Sequence, residues 1–257
     1  SVTFTPATWS NPQTITITGV DDDIDDDNVA YTIITGAATS SDTKYSGLNP
    51  ADVSVTNIDN DTAGFTVNPT SGLQTTEAGG TATFTVKLNS KPTANVTITL
   101  ASINPAEGTV NPTSLTFTSG NWNSLQTATI TGTDDDVDDD NVTYTITTGT
   151  ATSTDAKYNG LNPLDVSATN IDNDDAGVAV SPYEGLYTTE AGGTATFTMK
   201  LTSKPTANVS ITLVSLNTNE GVVSPSTVPF TPDNWNTNQT ITVTGMNDDV
   251  DDYNVAY

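Results

Sequence analysis

Asp134-Asp135-Asp136-Val137-Asp138-Asp139-Asp140 places six carboxylates within seven residues, and Asp21-Asp22-Asp23-Ile24-Asp25-Asp26-Asp27 does the same earlier in the chain. A third acidic run carries Asp248, Asp249 and Asp251. Two carboxylates about 4 Å apart repel by roughly 1 kcal/mol in water and about 4 kcal/mol at an effective dielectric of 20. Runs this dense, facing further acids, call for a counter-charge. Smaller acidic groups supply the further acids: Asp59 and Asp61; Asp172, Asp174 and Asp175; the lone glutamates Glu77 and Glu190, each in Thr-Thr-Glu-Ala-Gly-Gly; and Glu107 and Glu220. An oxygen-only donor set suits a hard cation, calcium or magnesium, and not zinc or copper. Calcium accepts 6–8 oxygens in irregular geometry whereas magnesium tends to keep its waters, so Ca2+ is the expected ion.

The rest of the composition narrows the chemistry further. The chain has 257 residues with 31 acidic against 6 basic, a formal charge of −25, and neither histidine nor cysteine. Every basic residue is a lysine. Without imidazole, thiolate or guanidinium, the usual general bases, nucleophiles and phosphate clamps are missing, so no enzymatic activity is expected. The charge argues against nucleic acid and anionic membrane as partners, and no long apolar run suggests membrane insertion. The acidic runs do not follow the EF-hand pattern: from Asp134 onward, Asp139 stands where that loop needs glycine, and the closing glutamate is missing.

The acidic groups recur at a fixed interval. Trp9, Trp122 and Trp235 are spaced by 113 residues in both steps, and the same offset relates Asp21 to Asp134, Asp59 to Asp172 and Glu77 to Glu190. A gapless period of this length is a tandem array of domain-sized units. We read 1–62 as the C-terminal part of a first repeat (strands D to G), 63–175 as a complete second repeat, and 176–257 as the N-terminal part of a third (strands A to early F). A chain that starts and ends within a repeat is expected to be a window on a longer array, or to be complemented by other copies.

Within the complete repeat, apolar alternation marks strands. Phe65 and Val67 mark A; Ala82, Phe84, Val86 and Leu88 mark B; Val96, Ile98 and Leu100 mark C. Leu115 and Phe117 mark D, Ile130 marks E, Val142, Tyr144 and Ile146 mark F, and Val166 and Ala168 mark G. Threonine and valine are abundant and helix formers scarce, which favours strands. The expected fold is all-β: tandem immunoglobulin-like sandwiches of seven antiparallel strands, stacked head to tail. Antiparallel succession sends alternate loops to opposite ends. The Glu77 turn, the Glu107 loop, the Asp134–Asp140 loop and the exit through Asp172, Asp174 and Asp175 then share one end. The lysines lie at or near the other, and only Asp42, Asp52, Asp155, Asp165, Glu184 and Asp233 fall outside the acidic end.

This layout resembles the Calx-beta family, sandwich modules of sodium–calcium exchangers and many bacterial surface proteins that bind calcium at one end. Glu77 matches the family's early glutamate, Asp134 to Asp136 its acidic triplet, Asp138 to Asp140 the acids that follow, and Asp172, Asp174 and Asp175 its terminal acidic run. The chain departs from the family between strands C and D, where Ala-Glu107-Gly-Thr-Val replaces the usual aspartate-bearing motif, leaving Glu107 to stand in for that aspartate. Ile58-Asp59-Asn60-Asp61 and Ile171-Asp172-Asn173-Asp174 also resemble cadherin linkers. The resemblance implies a bacterial surface or adhesin region, extracellular, whose partners are neighbouring repeats and other copies in a filament. The expected function is a rod stiffened by calcium at the junctions. The alternatives are a glycan- or ice-binding module with an ordered threonine face, or accessory repeats of a secreted enzyme. Thr14, Thr16 and Thr18 form a short threonine row that is not expected to extend across neighbouring strands. Trp122 is expected to plug the sandwich end, Tyr158 to form a tyrosine corner, and Gly79 and Gly80 both to take positive φ.

Overall fold

A computed structural model describes residues 1–247 and 255–256. It is all-β, with no helix among the described residues, and hence none long and apolar enough to cross a membrane. The first repeat contributes β1 (Val29–Ile33) and β2 (Val53–Asn57). The second contributes β3 (Phe65–Asn68), β4 (Leu73–Thr76), β5 (Thr81–Leu88), β6 (Val96–Ser102), β7 (Gly108–Asn111), β8 (Ser114–Phe117), β9 (Gln126–Gly132), β10 (Val142–Thr148) and β11 (Val166–Ile171). The third contributes β12 (Val178–Ser181), β13 (Thr194–Leu201), β14 (Val209–Thr212), β15 (Gly221–Ser224), β16 (Thr227–Phe230) and β17 (Gln239–Gly245).

The second repeat is a two-sheet sandwich, ordered β3-β5-β9-β7 and β4-β11-β10-β6-β8. It has nine strands where alternation predicts seven, because β4 and β7 are only four residues long and too polar to stand out. Residues 115 and 117, expected as strand D, belong to β8, which pairs with β6, while β7 pairs with β9. The sandwich is also not purely antiparallel, since β4 runs parallel to β11 with Ala168 opposite Leu73 and Ile171 opposite Thr76.

The expected inward faces form the core. Phe84, Val86 and Leu88 of β5 and Ala128 and Ile130 of β9 are fully buried against Ile98, Tyr144, Ile146 and Val166 of the facing sheet. Each large side chain so buried contributes about 1.5–3 kcal/mol. Phe65 closes the other end, edge-on to Phe117 and Tyr158 at 6.4 and 5.9 Å between ring centres, and Trp122 packs on the same cluster. Tyr158 does not make a local corner. Its hydroxyl donates to the Ser90 carbonyl at 2.6 Å and accepts the Ser90 amide at 3.0 Å, tying two distant loops together.

In the first repeat the stretches around Val2, Phe4, Ile15 and Ile17 form no strand and are exposed, with no facing sheet among the described residues. The third repeat builds β12-β13-β17-β15 and the ribbon β14-β16 over a smaller core of Met199, Leu201, Val228, Phe230 and Ile241. The expected start of its strand F falls mostly outside the described residues, and Val255–Ala256 form no strand. Threonine rows do cross strands: Thr81, Thr83 and Thr85 lie opposite Thr131, Thr129 and Thr127, and β13 and β17 repeat the pattern. The strand preference of threonine on a solvent face accounts for them.

Candidate metal centre

The site starts at the end of β4. The turn Glu77-Ala78-Gly79-Gly80 folds back so that the amides of Gly79 and Gly80 both donate to the Thr76 carbonyl, at 3.0 and 3.1 Å. Gly79 has φ +79°, as expected, but Gly80 does not take positive φ. Its constraint is space, because a Cβ there would lie 2.5 Å from the Thr76 hydroxyl. The parallel pairing continues through the Glu77 amide, which donates to the Ile171 carbonyl at 3.1 Å. Glu77 is thereby buried beside the strand that exits through Asp172 and Asp174.

Hydrogen bonds hold these acids in place. Asp172 Oδ1 accepts the Asp174 amide at 2.7 Å and Oδ2 the Asp139 amide at 3.0 Å, while Glu77 Oε2 accepts the Asn173 amide at 3.1 Å. Asn141 Oδ1 accepts the Asp172 amide at 3.0 Å, and Asn173 Nδ2 donates to Asp134 Oδ1 at 3.1 Å. Asp135 Oδ1 folds its own loop by accepting the Val137 amide at 2.7 Å.

Two groups of three carboxylates result. Glu77, Asp172 and Asp174 each bring an oxygen within 4.8 Å of the others, and Glu107, Asp135 and Asp139 do the same. Asp134, Asp136 and Asp138 fall in neither: Asp138 Oδ2 accepts the Ala176 amide at 2.7 Å, and the Asp136 carbonyl accepts the Lys204 amide at 2.6 Å. Asp175 is exposed, its carbonyl accepting the Thr202 hydroxyl at 2.6 Å.

Below the two groups lies a buried polar floor that no acidic pattern announces. The Thr75 hydroxyl donates to Asn170 Oδ1 at 3.0 Å and meets the Tyr144 hydroxyl at 3.1 Å, and Asn170 Nδ2 donates to the Thr133 carbonyl at 3.0 Å. Gly108 and Gly132 are fitted to this floor. A methyl on Gly108 would strike the Tyr144 hydroxyl, and one on Gly132 would strike the Thr76 carbonyl. The recurrence of Glu-Gly at 107–108 and 220–221 is the signal that could have revealed the first of these fits.

The electrostatics are those of crowded acids. Burial, with the hydrogen bond to Asp172 and the charges of Asp172 and Asp135, pushes Glu77 up to about 7 despite the Asn173 amide. Asp172 is held below the usual carboxylate range, chiefly by the Asp174 amide. Burial and neighbouring aspartates raise Asp174, Glu107 and Asp139. Asp174 Oδ2 is a buried acceptor with no hydrogen-bond partner. An orphaned carboxylate oxygen among two other carboxylates fits a hard, oxygen-seeking cation.

The first repeat reproduces this loop geometry. The amides of Asp26, Asp59, Asp61 and Ile24 find Asp59, Asn28, Asp59 and Asp22 at 3.0, 3.0, 2.9 and 2.8 Å. Burial and the charges of Asp59, Asp21, Asp23 and Asp22 raise Asp61, the counterpart of Asp174. Asp25 is turned away, its carboxylate meeting Ala63 and Lys157. In the third repeat Glu190 is exposed and Glu220 partly buried, while Asp248, Asp249 and Asp251 lie outside the described residues.

No protein-family model matches the chain, and no curated protein matches it. Among solved structures it is similar to CBD12 from CALX1.2, at 13% identity over 74% of this chain and 76% of that one, with a TM-score of 0.34. The calcium binding domain CBD12 of CALX1.1 gives 14% identity over 72% and 76%, also with a TM-score of 0.34. The E. coli chaperone DraB gives 11% identity over 74% and 89%, with a TM-score of 0.30.

Proposed function

We propose that the chain is a non-catalytic stretch of extracellular repeats that binds calcium at the acidic end of each sandwich and so stiffens a surface rod or adhesin filament. The observation that carries this reading is Asp174 Oδ2, buried and unpartnered between Glu77 and Asp172. Glu77, Asp172 and Asp174 would hold one ion, and Glu107, Asp135 and Asp139 would hold a second. Bound calcium would supply the positive charge that the crowded carboxylates lack. The polar floor keeps the carboxylates in position from below, and Asn141 and Asn173 orient the loops that carry them.

Calorimetric titration of the intact chain with calcium, followed by small-angle scattering with and without chelator, tests this. Dissociation constants of extracellular modules lie on the order of 10⁻⁴–10⁻³ M. Heat of binding, a raised melting point and a longer maximum dimension with calcium are expected. No heat and no change in either quantity would overturn the reading.

The threonine rows favour a second reading, a glycan- or ice-binding face. Ice recrystallisation and glycan-array assays on the same material decide between the two, since a calcium-stiffened rod needs neither activity.

A further inference from the structure

Lys157 sits in the loop between β10 and β11 of the second repeat, yet its ammonium lies 2.7 Å from Asp25 Oδ1 and 2.8 Å from Asp27 Oδ1 of the first. Asp25 is partly buried at the junction, and Asp27 lies exposed beside it. Asp25 spends its other oxygen on the Ala63 amide, at 2.9 Å, where the second repeat begins. Asp27 has φ +63°, a left-handed backbone that is uncommon outside glycine, and Asp140 one period later has the same value.

The lysine is equally well held. Asp155, which is buried, accepts the Lys157 amide at 2.9 Å and the Thr93 amide at 2.8 Å. That joins the Lys157 loop to the loop bearing Lys91, whose amide donates to the Asp23 carbonyl of the first repeat at 2.6 Å. Two of these contacts recur one period on, where the Lys204 amide meets the Asp136 carbonyl and the Ala176 amide meets Asp138 Oδ2.

We propose that Lys157, Asp25 and Asp27 form a calcium-independent latch: an interaction surface whose partner is the preceding repeat of the same chain, and which sets the angle between consecutive repeats. The acidic loop then divides its work. Asp135 and Asp139 of the second repeat group with Glu107 of their own sandwich, whereas Asp25 and Asp27 of the first repeat face the next one. The latch biases the direction in which one repeat leaves the other while calcium restricts the bending that remains, and the latch is open to screening, because at about 1 M salt the Debye length falls to about 3 Å.

The chain has no cysteine, so spin labels at Thr56→Cys and Thr83→Cys report the distance between the first and second repeats directly. Measurements in chelator keep this test separate from the calcium reading. In low salt the parent chain should give a narrower distance distribution than Lys157→Met, and Lys157→Arg, which keeps the charge and the reach to both Asp25 and Asp27, should restore the narrow one. Circular dichroism confirms that each variant keeps its strands. A Lys157→Met distribution as narrow as the parent's would overturn the latch. So would a folded Lys157→Arg variant that stays broad, since the charge would then not be what holds the two repeats.

Discussion

The Asn173 amide donates to Glu77 Oε2 at 3.1 Å, joining residues 96 positions apart. The first turn of the sandwich and its exit strand therefore share one acid, and whatever charges or neutralises Glu77 is felt where the chain leaves the domain.

The pH dependence follows from that acid. Glu77 is pushed from 4.5 up to about 7, so in the calcium-free protein the folded state holds a proton that the unfolded state has released. Its contribution to stability is fully present below about pH 4.5 and is lost as pH rises towards 7. Glu77→Gln should flatten that slope in calcium-free melting curves. Proton and calcium compete for the same carboxylate, so below pH 7 calcium affinity should weaken by up to about tenfold per pH unit. Calorimetry between pH 5.5 and pH 8 would measure both limbs, and a pH-independent affinity would remove Glu77 from the ligand set.

Asp174→Asn takes away one charge from the Glu77 group while keeping the shape. At free calcium about 100-fold above the dissociation constant, one site contributes about 2.7 kcal/mol. The variant should lose the share of the calcium-induced rise in melting temperature that this site supplies, leaving that of the Glu107 group, while melting no lower than the parent in chelator. A full rise in the variant would show that the buried oxygen has another purpose.

Tyr158→Phe deletes a hydroxyl that serves both the amide and the carbonyl of Ser90, a fully buried residue. Leaving a buried backbone group unsatisfied costs about 1–3 kcal/mol. Urea unfolding should show that loss with an unchanged slope, and calcium binding at the far end should be unaffected.

Gly132→Ala pushes a methyl into the Thr76 carbonyl under the turn that carries Glu77. Overpacking of this kind typically costs about 1–3 kcal/mol. Because the displaced carbonyl also anchors the Gly79 and Gly80 amides, calcium affinity should fall together with stability. A stability loss with unchanged affinity would mean that the turn shifts as a rigid unit.

The period and the main strands were legible because Phe84, Val86 and Leu88 alternate cleanly with threonine and lysine, and a period of two on a half-buried sheet leaves little choice of face. β4 escaped notice because its one fully buried residue, Thr75, is polar and is satisfied by Tyr144 and Asn170, residues far along the chain. The separation of the acids into two groups was hidden for a related reason. It depends on which oxygens the loop amides consume, and that depends on loop geometry that residue types alone do not specify. Asp138 and Asp135 look alike in sequence, yet one caps the start of the next repeat and the other faces Glu107.

The parallel pairing of β4 with β11 has a mechanical consequence. Tension along the array enters β4 from its Leu73 end and leaves β11 from its Ile171 end, so the two strands are dragged lengthwise past each other. Their register of Leu73 to Thr76 against Ala168 to Ile171 is then loaded in shear, with its hydrogen bonds sharing the force. An antiparallel pair pulled from one end would peel open a bond at a time. The second repeat thus carries, beside its acidic end, a clasp that resists stretching.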